Sequence, residues 1–147
     1  METSFAAAHR RLGSPGGSVA LHGHALRVEL LVAERQLDRQ GLTIDLGDPT
    51  AWRRAWTDEH RDRTFPANDQ GARLVEPLPA PPETKLDLFG GVNPSSEAMA
   101  RESFGAARER FGDRGTSVRV RETPLQHAEY ALRGAPVASP AWAQALT

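Results

Sequence analysis

Two histidines, two residues apart, open a strand-like stretch and constrain the fold more than any other feature of the sequence. Residues 25–32 read Ala-Leu-Arg-Val-Glu-Leu-Leu-Val, which is typical of a β-strand. If the strand begins at residue 21, His22 and His24 project from the same face, because side chains alternate along a strand. A third histidine, His9, ends the preceding apolar segment, and a reversal through the Gly/Ser/Pro run at residues 13–17 brings it alongside. The pattern predicts a strand pair with three imidazoles on one surface.

Three neutral imidazoles form a tetrahedral zinc site whose fourth position is open, as in catalytic zinc centres. An open zinc polarises a carbonyl group or holds a water whose pKa is near ~7. Each histidine taken alone is more often an ordinary surface or core residue, and His-x-His is a weak pattern by itself. Spacing alone therefore leaves a zinc site and three unrelated histidines as alternatives.

Five short segments occur in an order that resembles the 6-pyruvoyl-tetrahydropterin synthase family, which includes the 6-carboxy-tetrahydropterin synthases. They are Phe-x-Ala-Ala-His at 5–9, Leu-His-Gly-His at 21–24, Gly-Leu-Thr-Ile-Asp at 41–45, Asn-Pro-Ser-Ser-Glu at 93–97 and Val-Arg-Val-Arg-Glu-Thr at 118–123. The resemblance runs from about Phe5 to Tyr130, which is nearly the whole chain.

The resemblance implies a zinc ion on His9, His22 and His24 and a purine-like or pterin substrate anchored by Glu122. It also implies an α+β tunnelling fold, in which the sheets of several subunits join into a barrel. Such barrels are commonly a trimer doubled to a hexamer, with the active site between subunits. Exposed sheet edges give this homo-oligomer a physical reason as well.

Two departures from the family pattern concern proton transfer. The family cysteine lies three residues before the leucine of Leu-His-Gly-His, where this chain has Ser18. A serine hydroxyl is a far weaker acid than a thiol of pKa ~8.5. The family Asp-His pair is also missing from the corresponding region, residues 58–65. His60 is the best replacement acid–base residue, as the one histidine of that region, and Asp62 is its weaker partner candidate.

Composition excludes several classes of function. The formal net charge is −1, so no excess of basic residues favours nucleic acid or an anionic membrane. The absence of cysteine excludes disulfides and thiol catalysis. No apolar run approaches the ~20 residues that span a bilayer, and the N-terminus lacks a signal-peptide pattern, so a cytoplasmic enzyme is expected.

The hydrophobic pattern predicts an antiparallel four-stranded sheet with two helices in a single domain, residues 1–132. The strands are predicted at 2–9, 21–34, 117–122 and 126–132, and the helices from an Asp48 N-cap to about His60 and from the 93–97 cap to Phe111. A short extended piece is expected at 42–46, and Trp52 and Trp56 are expected in the core. Residues 64–93 form a proline-rich loop that acts as a lid or a subunit contact, and 133–147 form a C-terminal tail.

Three further residues have alternative interpretations. Ser95 and Ser96 precede a helix, so each is either a helix cap or, as the resemblance implies, a substrate contact. Glu122 ends a strand with inward valines, where a carboxylate is either a solvated edge residue or the anchor that the resemblance implies. An ionised carboxylate accepts two N–H donors of a guanidine-like ring edge or pairs with an amine.

The sequence therefore predicts a divergent zinc-dependent lyase or cyclase that acts on a small carbonyl compound plus an amine, or on a pterin-like substrate. One such reaction is amine–aldehyde condensation with ring closure (Pictet–Spengler type) in secondary metabolism. The alternatives are a non-catalytic protein that binds a pterin or purine-like ligand, an ordinary pterin synthase with relocated acid–base residues, and a globular domain without a metal.

Overall fold

A mixed six-stranded sheet forms the framework of the molecule. The computed structural model describes residues 1–13, 20–33, 36–45, 47–70, 73 and 85–131. The elements in chain order are β1 (Glu2–His9), β2 (His22–Val32), α1 (Gly47–His60), β3 (Thr64–Ala67), β4 (Lys85–Leu88), α2 (Ser96–Phe111), a 3-10 turn (Gly112–Arg114), β5 (Gly115–Thr123) and β6 (Gln126–Ala131). The strand order is β4-β3-β1-β2-β5-β6.

Strands β1, β2, β5 and β6 form the antiparallel part of the sheet, and all four were expected from the sequence. The predicted sheet was nevertheless too small, because β3 and β4 add two parallel strands at the β1 edge. Both lie within residues 64–93, which were predicted as a loop. The error has a physical cause: each strand has four residues, and Pro66 interrupts the usual strand pattern of β3. Strand β3 pairs with β1 only at Thr64, so that neighbour requires no N–H from Pro66.

The hydrophobic core lies between one face of the sheet and the helices. Val118 and Val120 are fully buried, as the alternation in β5 predicts. They pack with apolar residues of β1, β2 and α2, namely Phe5, Ala7, Leu26, Val28, Leu30, Met99, Phe104, Ala107 and Phe111. Trp52 of α1 packs against the edge of this core and contacts Phe111 with a ring separation of 5.0 Å.

Both helices form where caps were expected, with one shift. Helix α2 starts after Ser95, whose hydroxyl accepts a hydrogen bond from Ala98 N–H, and it ends at Gly112, which has φ 64°. Helix α1 starts at Gly47, so Asp48 lies in the first turn rather than at the N-cap. The carboxylate of Asp45 accepts from Gly47 N–H at 2.9 Å and so performs a capping role there.

The extended piece predicted at 42–46 does not form a strand over residues 42–45. The carboxylate of Asp38 accepts hydrogen bonds from the N–H groups of Gln40 and Leu42, and these bonds stabilise turns in this segment. Ser18, Leu46, Leu132 and the tail at 133–147 lie outside the described residues. Within the described ranges, no helix is both long enough and apolar enough to cross a membrane.

Candidate metal centre

The β1–β2 register brings the three histidines together. His9 is paired with His22 across the two strands, and Ala7 is paired with His24. The ring centroids are 4.9 Å apart for His9 and His22, 4.9 Å for His22 and His24, and 5.3 Å for His9 and His24. One ligand nitrogen from each ring lies within 4.8 Å of the others. The predicted three-histidine cluster therefore exists in the fold.

Backbone carbonyls orient two of the rings. His9 Nδ1 lies 2.6 Å from the carbonyl oxygen of Pro94, and His22 Nδ1 lies 2.7 Å from that of Ala20. A carbonyl only accepts hydrogen bonds, so both Nδ1 atoms carry the proton and both Nε2 atoms keep their lone pair. Nε2 of His9 is buried and has no hydrogen-bond partner. This donor set fits zinc, which binds neutral imidazole nitrogens.

Electrostatics keep His9 in the neutral form that binds a metal. Burial lowers the pKa of the His9 imidazole, and the charges of His22 and His24 act in the same direction. The hydrogen bond to Pro94 and the negative charge of Glu122 oppose this shift without reversing it.

Two cavities share Ala25 of β2, and one of them is lined by His24 of the cluster. One, of about 490 Å³, is apolar and is lined by Ala6, Ala7, Ala8, Gly23, His24, Ala25, Arg63, Thr64 and Phe65. The other, of about 470 Å³, is lined by Glu2, Ala25, Arg27, Glu29, Arg121, Glu122, Thr123 and Pro124. A histidine of the cluster therefore borders the first cavity and the predicted anchor Glu122 borders the second.

The two serines before α2 differ in their contacts. Ser95 caps the helix, and its hydrogen bond is the largest cause of a lowered pKa at the Glu97 carboxyl. The capping interpretation of Ser95 is therefore correct, while a substrate contact of Ser95 or Ser96 stays a prediction. Ser96 is half-buried at the first position of the helix.

His60 and Asp62 lie at the end of α1 and just after it. The His60 ring stacks on Trp56 at 5.0 Å, and its Nδ1 lies 3.0 Å from the Trp56 carbonyl oxygen. Asp62 accepts a hydrogen bond from Ala6 N–H at 3.1 Å. Neither residue is among the described residues that line the His24 cavity or the Glu122 cavity. Their acid–base role stays a prediction.

Sequence reasoning missed an ion cluster around Arg61. This guanidinium is buried and pairs with the carboxylates of Asp87 in β4 and Glu102 in α2. It also lies 5.0 Å from the Trp56 ring centroid and 5.1 Å from that of Phe89. Burial raises the pKa of the Asp87 carboxyl, although the charge of Arg61 opposes the shift. The cluster joins the end of α1 to β4 and α2, and no local sequence pattern indicates such a long-range contact.

Comparison with known proteins gives a consistent result. The family model described as 6-pyruvoyl tetrahydropterin synthase matches residues 1–133. The 6-carboxy-5,6,7,8-tetrahydropterin synthase of Rickettsia bellii is 25% identical over 124 residues, which cover 82% of this chain and 89% of that protein.

Solved structures show the same fold. An uncharacterized protein from Wolinella succinogenes aligns with a TM-score of 0.75 at 19% identity, covering 89% of this chain and 95% of that one. The 6-pyruvoyl tetrahydropterin synthase of Caenorhabditis elegans aligns with a TM-score of 0.64 at 18% identity, covering 90% and 92% of the two chains.

Proposed function

Because the chain belongs to the 6-pyruvoyl tetrahydropterin synthase family, we propose that it is a zinc-dependent lyase or cyclase. Its substrates are a small carbonyl compound together with an amine, or a single pterin-like molecule. The observation that carries the proposal is the convergence of His9, His22 and His24, with the buried Nε2 of His9 left without a partner. A buried polar nitrogen without a hydrogen bond is costly, and a metal ion satisfies it.

The three histidines are the proposed zinc ligands, with His9 and His22 binding through Nε2. A zinc ion bound to these three neutral nitrogens would supply Lewis-acid activation of a carbonyl oxygen. The carbonyl groups of Pro94 and Ala20 fix the ring orientations before the metal arrives. This preorganisation supports a catalytic rather than an incidental site.

Glu122 is the proposed anchor for an amine or for the N–H edge of a pterin-like ring. Its neighbour Arg121 donates to Glu29 at 2.8 Å, so that guanidinium is engaged by another carboxylate. A negative charge at Glu122 is available to the polar cavity, and a carboxylate there accepts up to two parallel N–H donors. Ser95 and Ser96 remain proposed contacts to the substrate ring.

His60 is the proposed acid–base residue, with Asp62 as its partner. Because His60 Nδ1 is held by the Trp56 carbonyl, Nε2 is the atom that would exchange a proton. In an amine–aldehyde condensation, the amine nitrogen attacks the carbonyl carbon and water is released. Ring closure then forms a carbon–carbon bond and releases a proton, which His60 would accept. This chemistry needs no thiol, which agrees with the absence of cysteine from the chain.

A second candidate function is ligand binding without turnover. It is favoured by one observation: in the described part of the chain, His60 and Asp62 line neither the His24 cavity nor the Glu122 cavity. Such a protein would bind a pterin or purine-like ligand at Glu122 and release no product.

A homo-oligomer, trimer or hexamer, is proposed as the working assembly. The sheet face opposite the core carries paired charges, with Arg119 bonded to Glu29 and Glu129 and Arg27 bonded to Glu2. Strands β4 and β6 are the outer strands of the sheet, and such edges present unpaired backbone groups to a neighbour. A cytoplasmic location also stays a prediction.

The proposal is tested by supplying the zinc-loaded protein with paired amines and aldehydes and following product formation by mass spectrometry. Turnover that Glu122→Ala removes supports the enzyme. Tight binding of a pterin-like ligand with no product from any pair supports the second candidate. Dihydroneopterin triphosphate cleavage at a high rate would contradict the condensation and indicate an ordinary pterin synthase.

A further inference from the structure

The orientation of His9 depends on a carbonyl that lies 85 residues away in the sequence. Pro94 precedes α2, and its oxygen holds His9 Nδ1 at 2.6 Å in a buried contact. If this carbonyl moved, the ring would lose the bond that fixes its tautomer and direction, and Nε2 would no longer point consistently toward the other histidines. The orientation of His9 therefore requires that the segment around Pro94 keeps its position beside the end of β1.

The side chain of Asn93 connects this segment to the residues that follow β1. Its Nδ2 donates to the carbonyl of Leu12 at 2.8 Å, and its Oδ1 accepts from Leu12 N–H at 3.0 Å. Both backbone groups of Leu12, three residues after His9, are thus bonded to one amide. Asn68 adds a further donor, because its Nδ2 lies 3.1 Å from the same Oδ1.

The two segments are joined at two points. At one point His9 meets Pro94, and at the other Leu12 meets Asn93. The backbone of Asn93 is itself fixed by the Ser95 N–H, which donates to its carbonyl at 2.8 Å. Asn93 and Pro94 therefore bind the two ends of the stretch from His9 to Leu12. A shift at either end would strain the hydrogen bonds at the other.

We propose that Asn93 is a positioning residue for the metal centre, acting through Pro94 on His9. The inference rests on the proposed zinc function and adds a specific requirement to it. Only an amide supplies a donor and an acceptor at this place, since a carboxylate accepts and does not donate, and an alanine does neither. The expected order of metal affinity is therefore wild type, then Asn93→Asp, then Asn93→Ala.

The experiment titrates Zn²⁺ into the metal-free full chain and records the visible absorption spectrum of the Co²⁺-loaded form. Loss of the hydrogen bonds between the Asn93 side chain and Leu12 is expected to weaken zinc binding by up to about 10- to 100-fold. This is the usual effect of removing a group that orients a metal ligand. The Co²⁺ absorption is expected to weaken as well, because a misoriented His9 leaves the tetrahedral ligand set incomplete. Asn68→Ala removes one of the three hydrogen bonds to the Asn93 side chain and is expected to have a smaller effect.

A control separates positioning from general stability. Ala107→Gly removes a fully buried methyl group from the interior of α2, away from the cluster, and destabilises the fold. It is expected to lower the melting temperature while leaving the zinc affinity and the Co²⁺ spectrum unchanged. A role of Asn93 in stability alone would give the same pattern for Asn93→Ala.

Zinc binding by the Asn93 variants and by the native chain distinguishes the inference from the proposed function. Wild-type affinity and spectrum in Asn93→Ala and Asn93→Asp, with zinc bound by the native chain, would overturn the inference and leave the proposed function intact. No zinc binding by the native chain would overturn both. If Asn93→Ala fails to fold, Asn93→Asp and Asn68→Ala are measured in its place, and unchanged zinc binding in both overturns the inference.

Discussion

Binding and proton transfer are proposed for different side chains of the site. Two of the three imidazoles are preorganised, because carbonyl groups orient His9 and His22. Burial also lowers the pKa of His9, which favours its neutral form. Glu122 lies near enough to influence the His9 pKa. His60, by contrast, stacks on Trp56 at the end of α1. Two residue-scale predictions test these separate roles.

Replacing Glu122 by Ala is expected to lower kcat/KM for the amine-containing substrate by about 10- to 100-fold. The reason is the loss of one charge-assisted hydrogen bond, worth about 1.5–3 kcal/mol. Steady-state kinetics of the zinc-loaded enzyme measures the change. Glu109→Ala, at an exposed position of α2, is the control and should behave as wild type. Equal kinetics for both variants would show that Glu122 is a solvated edge residue.

Replacing His60 by Ala is expected to lower kcat by about 10²- to 10⁴-fold, which is the range for removal of a general acid or base. His127→Ala is the matched control, since His127 is an exposed histidine of β6. Both variants are expected to retain their zinc. Wild-type turnover in His60→Ala would exclude His60 as the proton-transfer residue and direct attention to Ser18.

Secondary-structure elements show what a single sequence can and cannot reveal. Strand β5 and its inward Val118 and Val120 were predictable, because alternation alone identifies a half-buried strand. Strands β3 and β4 were not, because four residues carry little periodic signal and their parallel pairing depends on the rest of the sheet. The same limit applies to the site: His-x-His indicates a shared face, whereas the Pro94 carbonyl that orients His9 is a tertiary contact.

The Ser95 cap is expected to stabilise helix α2. Ser95→Ala removes the hydroxyl that accepts from Ala98 N–H and is expected to lower the free energy of unfolding by about 1 kcal/mol. The pKa of Glu97 should rise toward its ordinary value, because its hydrogen bond to Ser95 is lost. Chemical denaturation measures the first change and NMR titration the second. An increase in KM without loss of stability would instead identify Ser95 as a substrate contact.

The Arg61 cluster is expected to stabilise the fold in a pH-dependent way. Arg61→Leu leaves the partly buried Asp87 without its cation and is expected to cost about 3 kcal/mol at pH 7, the lower end of the range for breaking a buried pair. A carboxyl whose native pKa is raised stabilises the fold below its unfolded pKa, here 3.8, and loses that contribution as pH rises through the native value.

Without the opposing charge of Arg61, the Asp87 pKa rises further, so the cost of Arg61→Leu should grow from about pH 4 to pH 7. Denaturation at several pH values measures it. The control Arg110→Leu breaks an exposed pair with Asp48 and should cost about 0.5 kcal/mol or less. A cost independent of pH would show that Asp87 does not titrate in this range.

The whole molecule combines a family fold with an altered centre. The family model covers residues 1–133, and the three histidines converge as that family membership predicts. The chain nevertheless has no cysteine. We propose that the metal-binding half of the site is retained while proton transfer has moved to other residues.

The most direct test is the zinc content of the purified protein, measured by elemental analysis beside His22→Ala and His24→Ala. We expect about one zinc per chain in the native protein and loss of that zinc in both variants, since removing one of three nitrogen ligands leaves an incomplete site. The variants should remain folded by circular dichroism. A native protein that holds no zinc even after zinc is supplied would contradict the account and favour a binding protein without a catalytic metal.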